Sequence, residues 1–183
     1  MSDRSKIVYY VATSLDGFIC GPREDVSLFI SEGSGVEKYL SDLKAFKTVI
    51  MGRKTYEFGY KFGLEAGQPA YPHMEHFIFS NSLELAVLHP QVHIEKLRLD
   101  RITAIRDDSP TDVYLCGGGQ FAGWLLDHGL IDRLKVKINP IVLGDGVPVF
   151  GTSTASAVFE LTENKVYDNG LQIASYDILR HPC

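Results

Sequence analysis

The chain has 183 residues and a formal net charge of −5, without the block of basic residues that would favour a nucleic-acid partner. No apolar stretch approaches the roughly 20 residues that a membrane span requires, and the charged N-terminus lacks a signal-peptide layout. Three widely spaced cysteines without a C-x-x-C pair indicate a reducing compartment, so we expect a cytoplasmic protein. No repeat or linker divides the chain, and we expect one domain over residues 1–183.

The first half of the chain alternates short apolar runs with one amphipathic stretch. Residues 6–12 read KIVYYVA and predict a central strand, which a turn at Asp16-Gly17 follows. Apolar residues at helical spacing predict a helix over residues 36–47. Residues 48–51 predict a buried strand ending at Gly52. Residues 58–76 are rich in Gly, Pro and aromatics and too long for an ordinary connector, so we expect them to line a pocket.

Two basic residues stand where the chain leaves the strand at Gly52 and begins a helix. A helix N-terminus disfavours cations by about 0.3 to 1 kcal/mol each, yet Arg53 and Lys54 occur there together. A bound anion would reverse this penalty, and local rules tend to fail at functional sites. The alternative is that both side chains extend into water, and this pair alone does not decide between the two.

The second half predicts more strands and a closing hairpin. We expect strands over 76–80, 92–96 and 112–116, helices over 99–106 and 120–126, and a strand over 134–143 that Asn139-Pro140 bends or ends. Residues 158–166 and 171–179 flank Asp168-Asn169-Gly170, a strong hairpin signal. The predicted fold class is therefore α/β, a mostly parallel central sheet flanked by helices with an antiparallel C-terminal hairpin.

A triple glycine follows the strand at 112–116. Glycine backbone at the start of a helix presents unblocked N–H groups and the positive end of the helix dipole, and both can bind a phosphate group. The string from Gly117 to Ala122 formally fits the dinucleotide pattern G-x-G-x-x-A, but a Rossmann unit would place it after the first strand and an acid after the next. The alternative is that the glycines only permit a tight turn.

One sequence pattern resembles part of a metal site. His73-Met74-Glu75 fits the H-x-E of zinc deaminases, but the chain lacks the P-C-x-x-C that completes their ligand set, and nothing follows Pro182-Cys183. We therefore predict no metal.

Five stretches, in order along the chain, resemble the dihydrofolate reductase fold, and most closely its branch containing the reductase domain of bacterial riboflavin biosynthesis. They are VATSLDGFICG at 11–21, VIMGRKTYE at 49–57, FSNS at 79–82, VYLCGGGQF at 113–121 and LIDRLKVKINPIVLGDGVPVF at 130–150. The resemblance implies an NADPH-dependent reductase that acts on a small heterocyclic or sugar-linked C=N or C=O substrate, as 5-amino-6-(5-phosphoribosylamino)uracil reductase does. It also implies a homodimer.

The resemblance also implies which residues hold NADPH. Arg53, Lys54 and Thr55, after Gly52, would face its phosphates, with Ser80 and Asn81 near the adenosine. Ala12 and Ile19 would flank the nicotinamide. The other side of the pyrophosphate would be held by Gly117, Gly118, Gly119, Gln120 and Phe121.

The segment that binds substrate departs from the folate-reducing members. Asp42, in the string DLKAFK, takes the place of their catalytic carboxylate, but the connection from it to Met51 is several residues shorter, and SLFISEGSG replaces their tryptophan-bearing loop. Dihydrofolate reductase, with Asp42 as the acid, therefore remains an alternative. An alternative of another class is a dimeric nucleotide-binding module without catalysis, since no proton donor is evident.

Overall fold

The structure is a computed structural model that describes residues 4–179. Within that range the helices are α1 Ser34–Leu43, α2 Arg53–Phe58, α3 Leu99–Asp108 and α4 Gly119–Asp127, and short 3₁₀ turns cover Pro22–Glu24 and Gly59–Phe62. The strands are β1 Ile7–Thr13, β2 Phe18–Cys20, β3 Thr48–Gly52, β4 Glu75–Phe79, β5 Val92–Glu95, β6 Val113–Gly117, β7 Arg133–Ile138, β8 Val147–Pro148, β9 Val158–Val166 and β10 Gln172–Leu179.

Eight of the strands form one sheet in the order β5-β4-β3-β6-β1-β7-β10-β9. From β5 to β7 all neighbours are parallel, whereas β10 is antiparallel to β7 and β9 is antiparallel to β10. The predicted α/β class, a mostly parallel sheet with antiparallel C-terminal strands, is confirmed. β2 and β8 form a separate antiparallel pair, in which Phe18 lies opposite Pro148.

Both faces of the central strands β1, β3 and β6 are buried, which explains why these strands are continuous apolar runs in the sequence. Successive strand residues point to opposite faces, so Tyr9 and Tyr10 belong to two different hydrophobic clusters. Tyr9 packs in the cluster that includes Leu125 of α4, and Tyr10 packs in the cluster that includes Leu43 of α1 and Met51 of β3. Helices α4 and α1 therefore cover opposite faces.

Helix α1 ends earlier than the sequence predicts, whereas the strand that Asn139-Pro140 is expected to bend or end does end there. Helix α1 ends at Leu43 because Lys44 and Phe46 donate backbone hydrogen bonds to carbonyls only three residues back, at 3.2 Å each, and such bonds tighten the last turn. Strand β7 ends at Ile138, because Pro140 has no N–H with which to continue the ladder; the Asn139 side chain donates to Thr13 O at 3.2 Å.

Between residues 4 and 179, no helix has the length and apolar character needed to cross a membrane. The same part of the chain has no group of three or more His, Cys, Asp or Glu side chains arranged to hold a metal ion. Cys20 and Cys116 are free thiols. Cys183 lies outside the described residues.

Candidate functional site

The two predicted anion-binding turns lie at the same edge of the sheet. Strand β6 lies between β3 and β1, and the three strands are parallel, so their carboxyl ends meet. Strand β3 leads into residues 52–55, named here the basic turn, and β6 leads into residues 117–121, named the glycine turn. Met51 pairs with Gly117 across the two strands, which places the turns side by side.

The basic turn and the glycine turn touch each other. A Cβ atom added to Gly118 would lie 2.9 Å from Thr55 Oγ1, and one added to Gly52 would lie 3.3 Å from Phe121 Cβ. Both distances are shorter than an ordinary van der Waals contact, so any larger residue at either position would push the turns apart. Two segments far apart in the sequence thus form one continuous surface.

The glycine turn is built from backbone that only glycine adopts readily. Gly117 and Gly118 have φ values of +137° and +96°, which strain residues that carry a side chain. A Cβ on Gly119 would lie 2.3 Å from the carbonyl oxygen of Pro148. Ala122 N donates to Gly118 O at 2.8 Å, and the N–H groups before Ala122 have no acceptor inside α4. These N–H groups are suited to an anion.

The basic turn supplies the positive charge. The Arg53 guanidinium donates to Glu57 Oε1 at 2.8 Å and to Ser82 Oγ at 3.0 Å, so its orientation is partly fixed. Lys54 is exposed, and no ion pair involves it within residues 4–179. Of the two cations, Lys54 is therefore the one free to turn towards a ligand.

Both turns border one cavity of about 1150 Å³. Its lining includes residues 52–55 and 117–121 in full, together with Ala12 and Ile19. Eleven of the thirteen sequence-predicted cofactor residues therefore lie around this cavity. Residues of the 58–76 segment line it as well, among them Phe58 and Tyr71.

Ser80 and Asn81 lie outside the lining of the cavity. The Ser80 hydroxyl accepts the N–H groups of Ser82 and Leu83, at 3.1 and 2.9 Å, and Asn81 is exposed. Ser82 in turn holds Arg53, so this short segment is connected to the basic turn without touching the cavity.

Asp42 lies outside the cavity lining too, behind Tyr10. Its carboxylate pairs with Lys38 and with Lys135, the latter at 2.6 Å, and accepts the Tyr10 hydroxyl at 3.2 Å. Burial opposes ionisation of the carboxyl group, but the hydrogen bonds from Lys135 and Lys38 outweigh it and hold the pKa of Asp42 below its usual value. Asp42 therefore carries no proton to donate near neutral pH.

Four tyrosines that the sequence did not single out line the cavity on the face covered by α1. They are Tyr10, Tyr39, Tyr71 and Tyr114, named here the tyrosine wall. Cys116 also lines the cavity, although the sequence alone predicts that a lone cysteine at a strand end is a small buried hydrophobic residue. The sequence did contain a signal for these residues. Because alternate residues of a strand lie on one face, Tyr10 shares a face with Ala12, and Tyr114 shares a face with Cys116.

The fold and the position of the cavity define a dihydrofolate reductase-like protein. The model of the RibD C-terminal domain family matches residues 5–173. The chain belongs to this family. Family membership and the structural neighbours support an oxidoreductase of the riboflavin-biosynthesis type.

Three solved structures illustrate the similarity. A protein of Shewanella sp. PV-4, named provisionally for riboflavin biosynthesis, is 26% identical, with a TM-score of 0.77 over 96% of this chain and 99% of its own. The Thermotoga maritima diaminohydroxyphosphoribosylaminopyrimidine deaminase/5-amino-6-(5-phosphoribosylamino)uracil reductase is 16% identical, with a TM-score of 0.70 over 96% of this chain and 57% of its own. Enterococcus faecalis dihydrofolate reductase, solved with NADP(H), is 16% identical, with a TM-score of 0.67 over 94% of this chain and 96% of its own.

Proposed function

We propose that the chain is a one-domain, cytoplasmic, NADPH-dependent reductase that acts on a C=N or C=O group of a small heterocyclic or sugar-linked substrate. The observation that carries the proposal is the contact between the basic turn and the glycine turn at the border of one cavity. The proposal is supported by the family, by the reductase activity that the Thermotoga relative is named for, and by the NADP(H) in the Enterococcus structure.

The residues present fit a dinucleotide. The cavity of about 1150 Å³ is larger than the roughly 300 to 1000 Å³ of ordinary ligand pockets, which leaves room for a cofactor and a substrate together. The glycine turn would hold the pyrophosphate through its backbone N–H groups. Ala12 and Ile19 would flank the nicotinamide, and Ser80 and Asn81 would lie near the adenosine. Bound NADPH supplies a hydride; the chain positions it and excludes water.

The basic turn supports NADPH over NADH. A 2′-phosphate requires cationic hydrogen-bond donors, which Arg53 and Lys54 provide at the entrance to the cavity. Arg53 is already oriented by Glu57 and Ser82, so binding would cost it little conformational entropy.

Nothing in the site favours the folate-reducing alternative. That reaction depends on a carboxyl group in contact with the substrate ring, and Asp42 is instead an ionised carboxylate held by two lysines outside the cavity lining. A nucleotide-binding module without catalysis would bind NADPH in the same way, so only a measurement of substrate turnover distinguishes it from a reductase.

A titration of the purified protein with NADPH, followed by nicotinamide fluorescence, tests the proposal. We expect a saturable change, weakened by Lys54→Ala and unaffected by Lys44→Ala, which removes an exposed lysine after α1. Subsequent NADPH oxidation with aminouracils, pterins or aldehydes would exclude the non-catalytic module. No saturable change at millimolar NADPH would remove the basis of the proposal.

We also propose a homodimer through the C-terminal strands. Strand β9 is one of the two edges of the sheet, and its apolar residues Val158, Leu161 and Val166 are 50, 54 and 62% exposed. An exposed, apolar edge strand is unusual unless another chain covers it. Light scattering after size exclusion should give twice the 20.4 kDa chain mass, and Leu161→Lys should give the monomer. A monomeric parent protein would contradict this assembly.

A further inference from the structure

The tyrosine wall lies next to the position proposed for the nicotinamide ring. Tyr10 and Ala12 are two residues apart on β1 and share one face. Tyr10 packs edge-to-face on Tyr39 of α1, with ring centroids 4.9 Å apart, and Tyr71 packs on Tyr114 of β6 at 5.7 Å. Three separate elements and a loop thus converge on the part of the cavity where a hydride acceptor would lie.

The polar atoms of the wall are connected. The hydroxyl groups of Tyr39 and Tyr114 share a hydrogen bond of 2.7 Å, and the Tyr71 hydroxyl lies 3.5 Å from Cys116 Sγ. Tyr114 is only 1% exposed, whereas Tyr39 is half-buried. Both residues line the cavity, and Tyr39 is the more exposed of the two.

The electrostatic surroundings of the wall favour negative charge. Lys137 Nζ lies 5.1 Å from the Tyr39 ring centroid, and Lys135 Nζ lies 4.7 Å from that of Tyr10. Lys137 faces the same side of the sheet as Ala12, with which it pairs in register. Asp42 pairs with Lys135 at 2.6 Å and offsets its charge, whereas no ion pair involves Lys137 within residues 4–179. An oxygen that gains negative charge near the Tyr39 ring would therefore be stabilised by the Lys137 ammonium group, and a cationic ring would be disfavoured by it.

No carboxylate in the cavity lining is available to a ligand at the tyrosine wall. Glu24 and Asp127 are the carboxylates that line the cavity, and both are engaged elsewhere. Glu24 pairs with Lys61 at 2.6 Å, and Asp127 accepts the Ser153 hydroxyl at 2.5 Å. Within residues 4–179 the tyrosine wall therefore offers hydroxyl groups but no carboxylate to an acceptor.

We propose that the tyrosine wall binds an uncharged ring carrying a carbonyl group, and that the Tyr39 hydroxyl donates the proton that the carbonyl oxygen takes up. The inference rests on the proposed NADPH-dependent reduction. Hydride from NADPH forms the new C–H bond, the C=O π pair moves to oxygen, and oxygen takes the Tyr39 proton, which water replaces. The product is an alcohol.

The ionisation of Tyr39 is consistent with this role. Burial raises the pKa of Tyr39 to about 12, so its hydroxyl keeps the proton throughout the physiological range. The titratable and charged groups that face it are Tyr10, Tyr71, Tyr114, Cys116 and Lys137. Since none of them is a carboxylate, the reduction should keep its rate from pH 5 to pH 9. A carboxyl donor would instead lose activity as the pH rises through its pKa.

A substitution pair tests the assignment. Tyr39→Phe keeps the ring that packs on Tyr10 and removes only the hydroxyl. Tyr176→Phe makes the same change on β10, outside the cavity lining. With isatin and 9,10-phenanthrenequinone as uncharged cyclic dicarbonyl probes, we expect Tyr39→Phe to lower kcat by about 100-fold or more, with little change in KM for NADPH. Tyr176→Phe should match the parent.

A binding measurement gives a readout independent of turnover. In equilibrium dialysis with NADP⁺ present, Tyr39→Phe should weaken isatin binding by about two- to tenfold, the range for one neutral hydrogen bond. Unchanged isatin affinity and turnover in Tyr39→Phe would overturn the assignment. Reduction of dihydrofolate but of neither dicarbonyl, or no reduction by a protein that binds NADPH, would overturn it as well. Failure to bind NADPH would instead refute the proposed function.

Discussion

The two ends of the cavity differ in whether backbone or side chains form them. The glycine turn uses backbone, so its geometry depends on positive φ values and on the absence of Cβ atoms at Gly118 and Gly119. The tyrosine wall uses side chains from β1, β6, α1 and the loop before β4. The end proposed to bind the cofactor therefore depends on local backbone geometry, whereas the end proposed to bind the substrate depends on how distant segments pack together.

The largest expected effect concerns a buried histidine that supports the tyrosine wall. His76 Nε2 accepts the Tyr71 N–H at 3.1 Å, so Nδ1 carries the proton and donates to Met74 O at 3.0 Å. Burial lowers the pKa of His76 to about 4, so the ring is neutral in the folded protein. Protonation of Nε2 would remove the hydrogen bond that holds Tyr71.

The pH dependence of stability follows from this pKa. The unfolded chain has the ordinary value of 6.5, so it binds more protons than the folded state between pH 6.5 and about 4. The free energy of unfolding should therefore fall as the pH decreases through this window, by roughly 3 kcal/mol at its lower end. Urea unfolding should show a shallower pH dependence in His76→Gln than in the parent. Identical slopes in the two proteins would contradict the assignment.

The next effect concerns the glycine turn. Gly119→Ala places a methyl group against the Pro148 carbonyl oxygen, where a Cβ would lie only 2.3 Å away. We expect a loss of about 1 to 3 kcal/mol in the free energy of unfolding, because backbone must move. In Gly21→Ala the nearest atom is at 3.4 Å and φ is −76°, so denaturant unfolding should be nearly unchanged. If Gly119→Ala is as stable as Gly21→Ala, the turn is less tightly packed than the structure shows.

A smaller effect is expected at the basic turn. Arg53→Ala removes a charged donor that Glu57 and Ser82 orient, and should weaken NADPH binding by about 1.5 kcal/mol, roughly tenfold. The loss for NADH should be smaller, since NADH lacks the 2′-phosphate. Fluorescence titrations with both cofactors measure the difference, and equal losses would show that Arg53 does not recognise the 2′-phosphate.

The smallest effect concerns the partner of Arg53. Glu57→Gln removes a carboxylate that competes with the cofactor phosphate for the guanidinium, with which it makes an exposed ion pair of 2.8 Å. Such pairs are worth about 0.3 to 0.5 kcal/mol, so NADPH should bind up to about twofold more tightly. Weaker binding in this variant would mean that orientation of Arg53 by Glu57 matters more than competition.

Much of the fold could be predicted from the sequence, because its central strands β1, β3 and β6 are buried on both faces and stand out as separate apolar runs. The hairpin at residues 168–170 and the strand-to-helix turns at Gly52 and Gly117 depend on local backbone chemistry, which the sequence displays directly. The early end of α1 could not be predicted, since the apolar stripe continues to Phe46 although the hydrogen bonds change after Leu43.

The acceptor side of the site was less accessible to sequence reasoning. Asp42 occupies the family's acid position in the local string, yet its environment is set by Lys135, which lies 93 residues away. Tyr39 and Tyr114 are 75 residues apart, and each alone reads as an ordinary core aromatic. Their pairing depends on how α1 packs on β6, which no local pattern specifies.

The central claim is that the basic turn and the glycine turn bind one NADPH together. A titration of ¹⁵N-labelled protein with NADPH, followed by amide chemical shifts, tests it directly. We expect the amide signals of Lys54, Thr55, Gly118 and Gly119 to shift along one common saturation curve. Shifts confined to one turn, or shifts of the two turns with different dissociation constants, would contradict it.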